Sequence, residues 1–130
     1  MADYLDTSAL VKLVVAEAET DALLAWLARR PAQPTSSDLA RTELLRVVRR
    51  AAPDRLERAR QVLDAVTLIA LSAETFEEAG RLAPPTMRSL DALHLAAALR
   101  LGDDLDTIVT YDDRLADAAR LNGTSAVAPA

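Results

Sequence analysis

Apolar and polar positions follow two rhythms along this chain. ADYLD (2–6) is a short apolar run that ends on an acid, and it reads as a buried strand. TSALVKLVVAEA (7–18) then puts Leu10, Leu13 and Val14 at helical spacing, so strand passes directly into helix. ETDALLAWLARR (19–30) predicts a second helix on Leu23, Leu24, Trp26 and Leu27, with Arg29 and Arg30 suited to the negative end of its dipole. Pro31 and Pro34 punctuate the connection that follows. PTSS (34–37) leads through it into a third helix, DLARTELLRVVRRA (38–51), which Ser37 or Asp38 is placed to cap. A fourth helix opens at Pro53 and covers PDRLERARQVLDA (53–65).

VTLIAL (66–71) is the clearest strand signal, being β-branched, apolar and short. SAETFEEAGRLA (72–83) begins on a serine, carries Glu early and is stopped by Pro84–Pro85. RSLDALHLAAALRLG (88–102) predicts a strong helix with Ser89 as cap and Gly102 as stop. A strand over 107–110 runs into a helix over 113–122, and SAVAP (125–129) suits a last edge strand ended by Pro129. Strands and helices alternate throughout, with no internal repeat or linker. The expectation is an α/β fold in one domain over 1–130, with a central, mostly parallel sheet of four to five short strands and helices on both faces. Sites in such sheets form beyond the carboxyl ends of the strands.

Composition narrows the chemistry. Apolar residues make up 51% of the 130 positions, dominated by alanine and leucine, which favours helices packed closely on one another. Cysteine is absent, so a disulfide scaffold, a thiolate zinc site and a cysteine nucleophile are excluded. Asp3 and Asp6 interrupt the N-terminal apolar run, and no stretch approaches membrane-spanning length, so a cytoplasmic protein without a membrane is expected. The net charge of −5 argues against a general nucleic-acid binder but not against an enzyme that holds phosphate through a metal ion. Of fifteen basic residues only Lys12 is a lysine, and arginine suits bidentate contacts with phosphate or carboxylate.

Four acids stand where strands end or helices begin. Asp6 follows the first strand. Asp112 follows TIVTY, with Thr110 and Asp113 beside it. Asp91 lies in the first turn of its helix, and Glu43 in the second turn of its own. Singly, Asp91 and Asp112 could be caps and Glu43 a solvated residue. Together they raise an electrostatic problem, because two carboxylates about 5 Å apart repel by roughly 3 kcal/mol at an effective dielectric near 20. Four such groups must take up protons, pair with arginine or bind a cation. Oxygen ligands suit Mg²⁺, or Mn²⁺ in its place, and the single histidine does not suit zinc. His94 reads as a helix-face residue in a polar contact at the core margin, not as a catalyst.

YLDTSALVKL, TELLRVVRR, RSLDALHLAAAL and IVTYDDRLADAA resemble, in order and spacing, the motif blocks of the PIN-domain ribonucleases. The nearest resemblance is to the VapC toxins of type II VapBC toxin–antitoxin pairs, and it covers about residues 3 to 127. It implies a Mg²⁺- or Mn²⁺-dependent endoribonuclease that cleaves single-stranded RNA with an activated water, leaving a 5′-phosphate and a 3′-hydroxyl. Asp6, Glu43, Asp91 and Asp112 match the family's catalytic and metal-binding acids. Thr7, Ser8 and Thr110 match the hydroxyls beside them, and Asp113 is an extra acid. Arg46 and Arg49 fit a family tendency to place arginine after the helix glutamate, where they would contact RNA or phosphate. The resemblance also implies a homodimer and a VapB-type antitoxin that drives a basic side chain into the acid pocket. The alternative from another class is a PIN-like module that acts by binding alone; an intact acid quartet argues against it. A phosphoaspartate phosphatase needs a second acid where Ser8 stands, and a receiver domain needs a late lysine, so neither fits.

Overall fold

The computed structural model describes residues 1–130. Its strands are β1 (Ala2–Leu5), β2 (Gln33–Ser37), β3 (Thr67–Ile69), β4 (Leu105–Val109) and β5 (Ala126–Val127). Its helices are α1 (Thr7–Val14), α2 (Thr20–Ala28), α3 (Leu39–Ala51), α4 (Leu56–Ala65), α5 (Ala73–Ala79), α6 (Ser89–Leu99) and α7 (Asp113–Leu121). The strands form one sheet in the order β3-β2-β1-β4-β5, and every neighbouring pair is parallel.

Period-two alternation in the central strands divides the core. Leu5 and Val109 point to one face, where they meet Leu10, Leu23, Leu44, Val48 and Val62 from α1 to α4. Tyr4 and Ile108 point to the other, against Leu95, Ala97 and Ala98 of α6 and Leu115 and Ala119 of α7. Alanine lines both α6 and α7 where they are buried, and its small side chain lets the backbones approach. Fully buried leucines such as Leu44 and Leu95 carry much of the stability, each worth about 2–5 kcal/mol against alanine.

The largest departure from the sequence expectation is β2. PTSS lies inside a strand, not a connection, and that strand sits between β1 and β3. Pro34 is tolerated because pairing with β3 begins only at Thr35. The polar side chains are accommodated one by one: Thr35 Oγ1 donates to Gln33 O at 3.1 Å and Ser36 Oγ to Leu5 O at 2.7 Å. Other differences are at boundaries. The first helix ends at Val14 instead of residue 18, and the fifth ends at Ala79 instead of residue 83. The strand expected over 66–71 keeps only Thr67–Ile69, and β4 starts two residues earlier than expected and ends before Thr110. Ser89 is the first residue of α6, not its cap; that position belongs to Arg88. Gly102 takes a left-handed φ of 57° just past this helix, as a stop requires. No helix is long and apolar enough to cross a membrane.

At β1, far from the carboxyl edge, Asp3 is fully buried and is gripped by Arg30 in a forked pair, Nε to Oδ2 at 3.0 Å and a terminal nitrogen to Oδ1 at 2.9 Å. The same guanidinium reaches Asp106 at 3.2 Å and lies over the Trp26 ring. Arg30 therefore joins α2 to β1 and β4 instead of serving the end of its own helix. Replacing it by methionine keeps the apolar stem but leaves Asp3 buried without its partner. Arg30→Met should lower unfolding free energy by about 3 kcal/mol in a urea titration; a loss below about 0.5 kcal/mol would show that Asp3 is not sustained by this pair.

Candidate active site

Asp6 ends β1 and caps α1. Its Oδ1 accepts the Ala9 backbone N–H at 3.1 Å and the Ser8 hydroxyl at 2.6 Å, while Oδ2 accepts the Thr110 hydroxyl at 2.6 Å. Those two hydroxyls are themselves acceptors, Ser8 from Tyr111 N at 2.9 Å and Thr110 from Asp112 N at 3.1 Å. The carboxylate is thus tied through two side chains to the backbone that leaves β4. Burial pushes the Asp6 carboxyl above its ordinary range, and the hydrogen bonds from Ser8 and Thr110, together with His94 and Ala9 N–H, only partly offset it.

Glu43 faces the same edge from α3. Its Oε1 accepts Thr7 Oγ1 at 2.9 Å and meets His94 Nε2 at 2.6 Å. Burial acts to raise this carboxyl, but His94 and the Thr7 hydroxyl together outweigh it and hold it below the usual range. On its other side, His94 Nδ1 lies 2.8 Å from Tyr4 Oη. Burial pushes the Tyr4 phenol far upward, against a smaller pull from the Ser37 and Ser36 hydroxyls. Ser37 Oγ lies beside the phenol yet makes no hydrogen bond of good geometry, the one buried side-chain oxygen so placed.

Asp91, in the first turn of α6, and Asp112, which caps α7, share one cation. Arg88 donates from Nε to Asp91 Oδ2 at 3.3 Å and from a terminal nitrogen to Asp112 Oδ2 at 3.2 Å. Asp112 uses its other oxygen for Arg114 N at 2.9 Å and Leu115 N at 3.4 Å. Burial and then the Asp112 charge raise the Asp91 carboxyl, and Arg88 counters both only in part.

All four expected acids therefore stand at the carboxyl edge of the sheet, and Thr7, Ser8 and Thr110 bind them directly. They do not crowd a single hollow. No three acidic or imidazole side chains lie close enough to hold one ion. The repulsion is relieved separately: hydroxyls and backbone N–H serve Asp6, His94 and Thr7 serve Glu43, and Arg88 serves the other pair. The donor chemistry still fits a hard divalent cation, because Asp91 and Asp112 present only oxygens and already share a positive charge. Asp113 is exposed at the first position of α7 and bonds to none of these groups.

Exposed Arg46 lines a groove of about 600 Å³ with Thr7, Glu43, Arg50, Leu71 and Leu90, while Arg49 joins Arg46 and Arg50 in a second depression. A cavity of about 490 Å³ beside Asp91 is lined by Met87, Arg88, Arg114 and Leu121 among others. Sequence reading missed Arg88 and Tyr4, and it placed His94 at the margin when it is 3% exposed. Signals existed for each: Arg88 precedes Asp91 by three residues, a helical contact distance, and a tyrosine inside a buried strand needs a partner for its hydroxyl.

A family model for the PIN domain matches residues 4–121. Ribonuclease VapC47 of Mycobacterium tuberculosis is 42% identical over 130 residues, covering 97% of this chain and 96% of its own. Ribonuclease VapC46 of the same species is 43% identical over 126 residues with the same coverage. Among solved structures, M. tuberculosis VapC20, a Sarcin-Ricin loop cleaving toxin, superposes with a TM-score of 0.76 at 17% identity, covering 98% of this chain and 100% of that one. A toxin–antitoxin complex from Klebsiella pneumoniae gives 0.76 at 22% identity, covering 99% and 98%.

The raised Asp91 carboxyl has a pH signature. Its folded value lies above the ordinary 3.8, so the folded chain loses stability as pH rises from there through the raised value. Glu43 has the opposite sign, adding stability that is present above 4.5 and lost as pH falls through its lowered value. Asp91→Asn should therefore melt higher than the wild type at pH 7. That gap should shrink toward pH 4 in thermal scans; a gap independent of pH would contradict the assignment.

Proposed function

The chain belongs to the PIN-domain family and, within it, to the VapC ribonuclease toxins, and from that membership we propose that it is a Mg²⁺-dependent endoribonuclease acting on single-stranded regions of cytoplasmic RNA. The observation that carries this reading is the placement of Asp6, Glu43, Asp91 and Asp112, with Thr7, Ser8 and Thr110 bonded to the first two, along one edge of the sheet. Asp91 and Asp112, which one guanidinium already bridges, would hold Mg²⁺, or Mn²⁺ as a substitute, with Asp6 and Glu43 farther along the same sheet edge. The bound ion supplies Lewis acidity toward the phosphodiester and a water of lowered pKa.

The protein's own residues do the rest. Asp6 is held rigidly by Ser8, Thr110 and Ala9 N–H, so its charge is fixed in place before any substrate arrives. Glu43, kept ionised by His94 and Thr7, offers a carboxylate that can accept a proton from the attacking water. Arg46, Arg49 and Arg50 on α3 and Arg114 on α7 give the RNA backbone cationic contacts on either side of the acids, despite the net charge of −5. Aromatic residues are scarce, so base stacking contributes little and selectivity would come from RNA shape.

The same reading implies growth inhibition through RNA cleavage and neutralisation by a VapB-type antitoxin, with a homodimer as the assembled toxin. A basic antitoxin side chain suits Asp91 and Asp112, which already accept a guanidinium. Exposed Leu24, Phe76, Leu90 and Leu121 supply apolar surface for assembly.

With Mg²⁺ or Mn²⁺, the purified chain should cleave unstructured RNA, and EDTA should stop it. Asp6→Asn should lower the rate by at least about 100-fold while melting cooperatively. Cleavage by Asp6→Asn at the wild-type rate would remove the assigned site, and RNA binding without cleavage by the wild type would favour the binding-module alternative.

A further inference from the structure

We propose that His94, backed by Tyr4, is a positioning residue that pins one oxygen of Glu43 and leaves the other free as the working atom of the site; this rests on the ribonuclease reading above. The geometry is a line of three side chains from separate elements. Tyr4 Oη of β1 lies 2.8 Å from His94 Nδ1 of α6, and His94 Nε2 lies 2.6 Å from Glu43 Oε1 of α3. Thr7 Oγ1 of α1 donates to the same Oε1 at 2.9 Å, while Oε2 has no hydrogen bond to the protein. Both contacts thus fall on one oxygen of a carboxylate whose side chain keeps 23% of its surface exposed.

The direction of these bonds follows from what each group can do. An ionised carboxylate only accepts, so the proton between His94 and Glu43 belongs to Nε2. Nδ1 shares the second bond with the tyrosine hydroxyl, which donates to a bare Nδ1 and accepts from a protonated one. Tyr4 fixes the ring twice, by this bond and by edge-on packing with centroids 5.8 Å apart. An imidazole held by both nitrogens in a site 3% exposed has one orientation. That orientation keeps the glutamate from turning away on its flexible stem. Such supporting contacts are typically worth 10–100-fold in activity.

His94 is the only histidine, so its two ring nitrogens can be assigned in ¹⁵N NMR spectra without ambiguity. The expected spectrum has the proton on Nε2; a bare Nε2 would overturn the proposal. In single-turnover cleavage of an unstructured RNA oligonucleotide with Mn²⁺, His94→Ala should lower the rate on the order of 10–100-fold with little change in half-saturating RNA. His94→Gln, which keeps a donor near the Nε2 position, should recover part of that loss, and Tyr4→Phe should cost less in the same direction. The deciding comparison is with Glu43→Ala: in that background His94→Ala should cost less than about twofold, because the group it positions is gone. An equal loss in both backgrounds, or wild-type rates in His94→Ala, would overturn the positioning role. Melting curves identify any variant that fails to fold, and the glutamine variant then carries the test. A wild type that cleaves no RNA, indistinguishable from Asp6→Asn, would overturn the ribonuclease reading and this role with it; a cleaving wild type matched by His94→Ala would overturn this role alone.

Discussion

Everything at the carboxyl edge depends on keeping the carboxylate of Asp6 inside the protein. A residue only 4% exposed cannot hold a charge unless its oxygens are saturated with donors, and here two hydroxyls and a backbone N–H supply them. Ser8 and Thr110 suit this because a hydroxyl donates and accepts at once. Each donates a hydrogen bond to Asp6 and accepts one from a backbone N–H of the β4–α7 junction, at Tyr111 or Asp112. One buried acid thereby joins the start of α1 to the start of α7, and both helix openings become parts of a single polar knot. An acid in a seam that a hydroxyl could have capped is explained by this double duty.

The remaining acids show graded relief of the same repulsion. Glu43 is stabilised by a nearly buried imidazole, whose contacts are short and shielded from solvent. Asp91 and Asp112 rely on Arg88, whose side chain is 67% exposed and whose bonds are over 3 Å. Exposed pairs of that kind contribute about 0–1 kcal/mol each and are weakened by salt. The hydrogen bonds to Asp6 and Glu43 are therefore costly to break, whereas the cation on Asp91 and Asp112 is cheap to exchange.

The fold was legible where one physical rule dominated. Strand-to-helix alternation at β1–α1 and β4–α7, and alanine-rich periodicity in α6, led to a parallel sheet with helices on both faces. β2 was not legible, because Pro34, Thr35, Ser36 and Ser37 carry a turn composition. Its strand character comes from neighbours on both sides, and hydroxyl bonds such as Ser36 to Leu5 O make the burial tolerable. For the site, residue types and element ends were readable at Asp6, Glu43, Asp91 and Asp112. Their partners were harder to read, since the pairing of Tyr4 with His94 spans ninety positions and exists only once the sheet has closed. Local spacing did contain Arg88 beside Asp91, but nothing local tells whether an arginine turns to solvent or across to α7.

These differences in rigidity bear on how a negatively charged protein can work on a polyanion. Asp6 and Glu43 have their orientation fixed by folding, so no reorganisation is asked of them when RNA arrives. Asp91 and Asp112 are the adjustable half: their electrostatic demand is for positive charge, which exposed Arg88 meets. A guanidinium from the same chain, one from a protein partner and a divalent ion satisfy that demand with different charge and hydration. A doubly charged ion answers the mutual repulsion of two carboxylates better than a monovalent side chain that must also give up rotamer freedom to stay in place. Arg88 is then a tether that keeps two acids facing one another without saturating them, because its two bonds are single and its side chain stays largely in solvent.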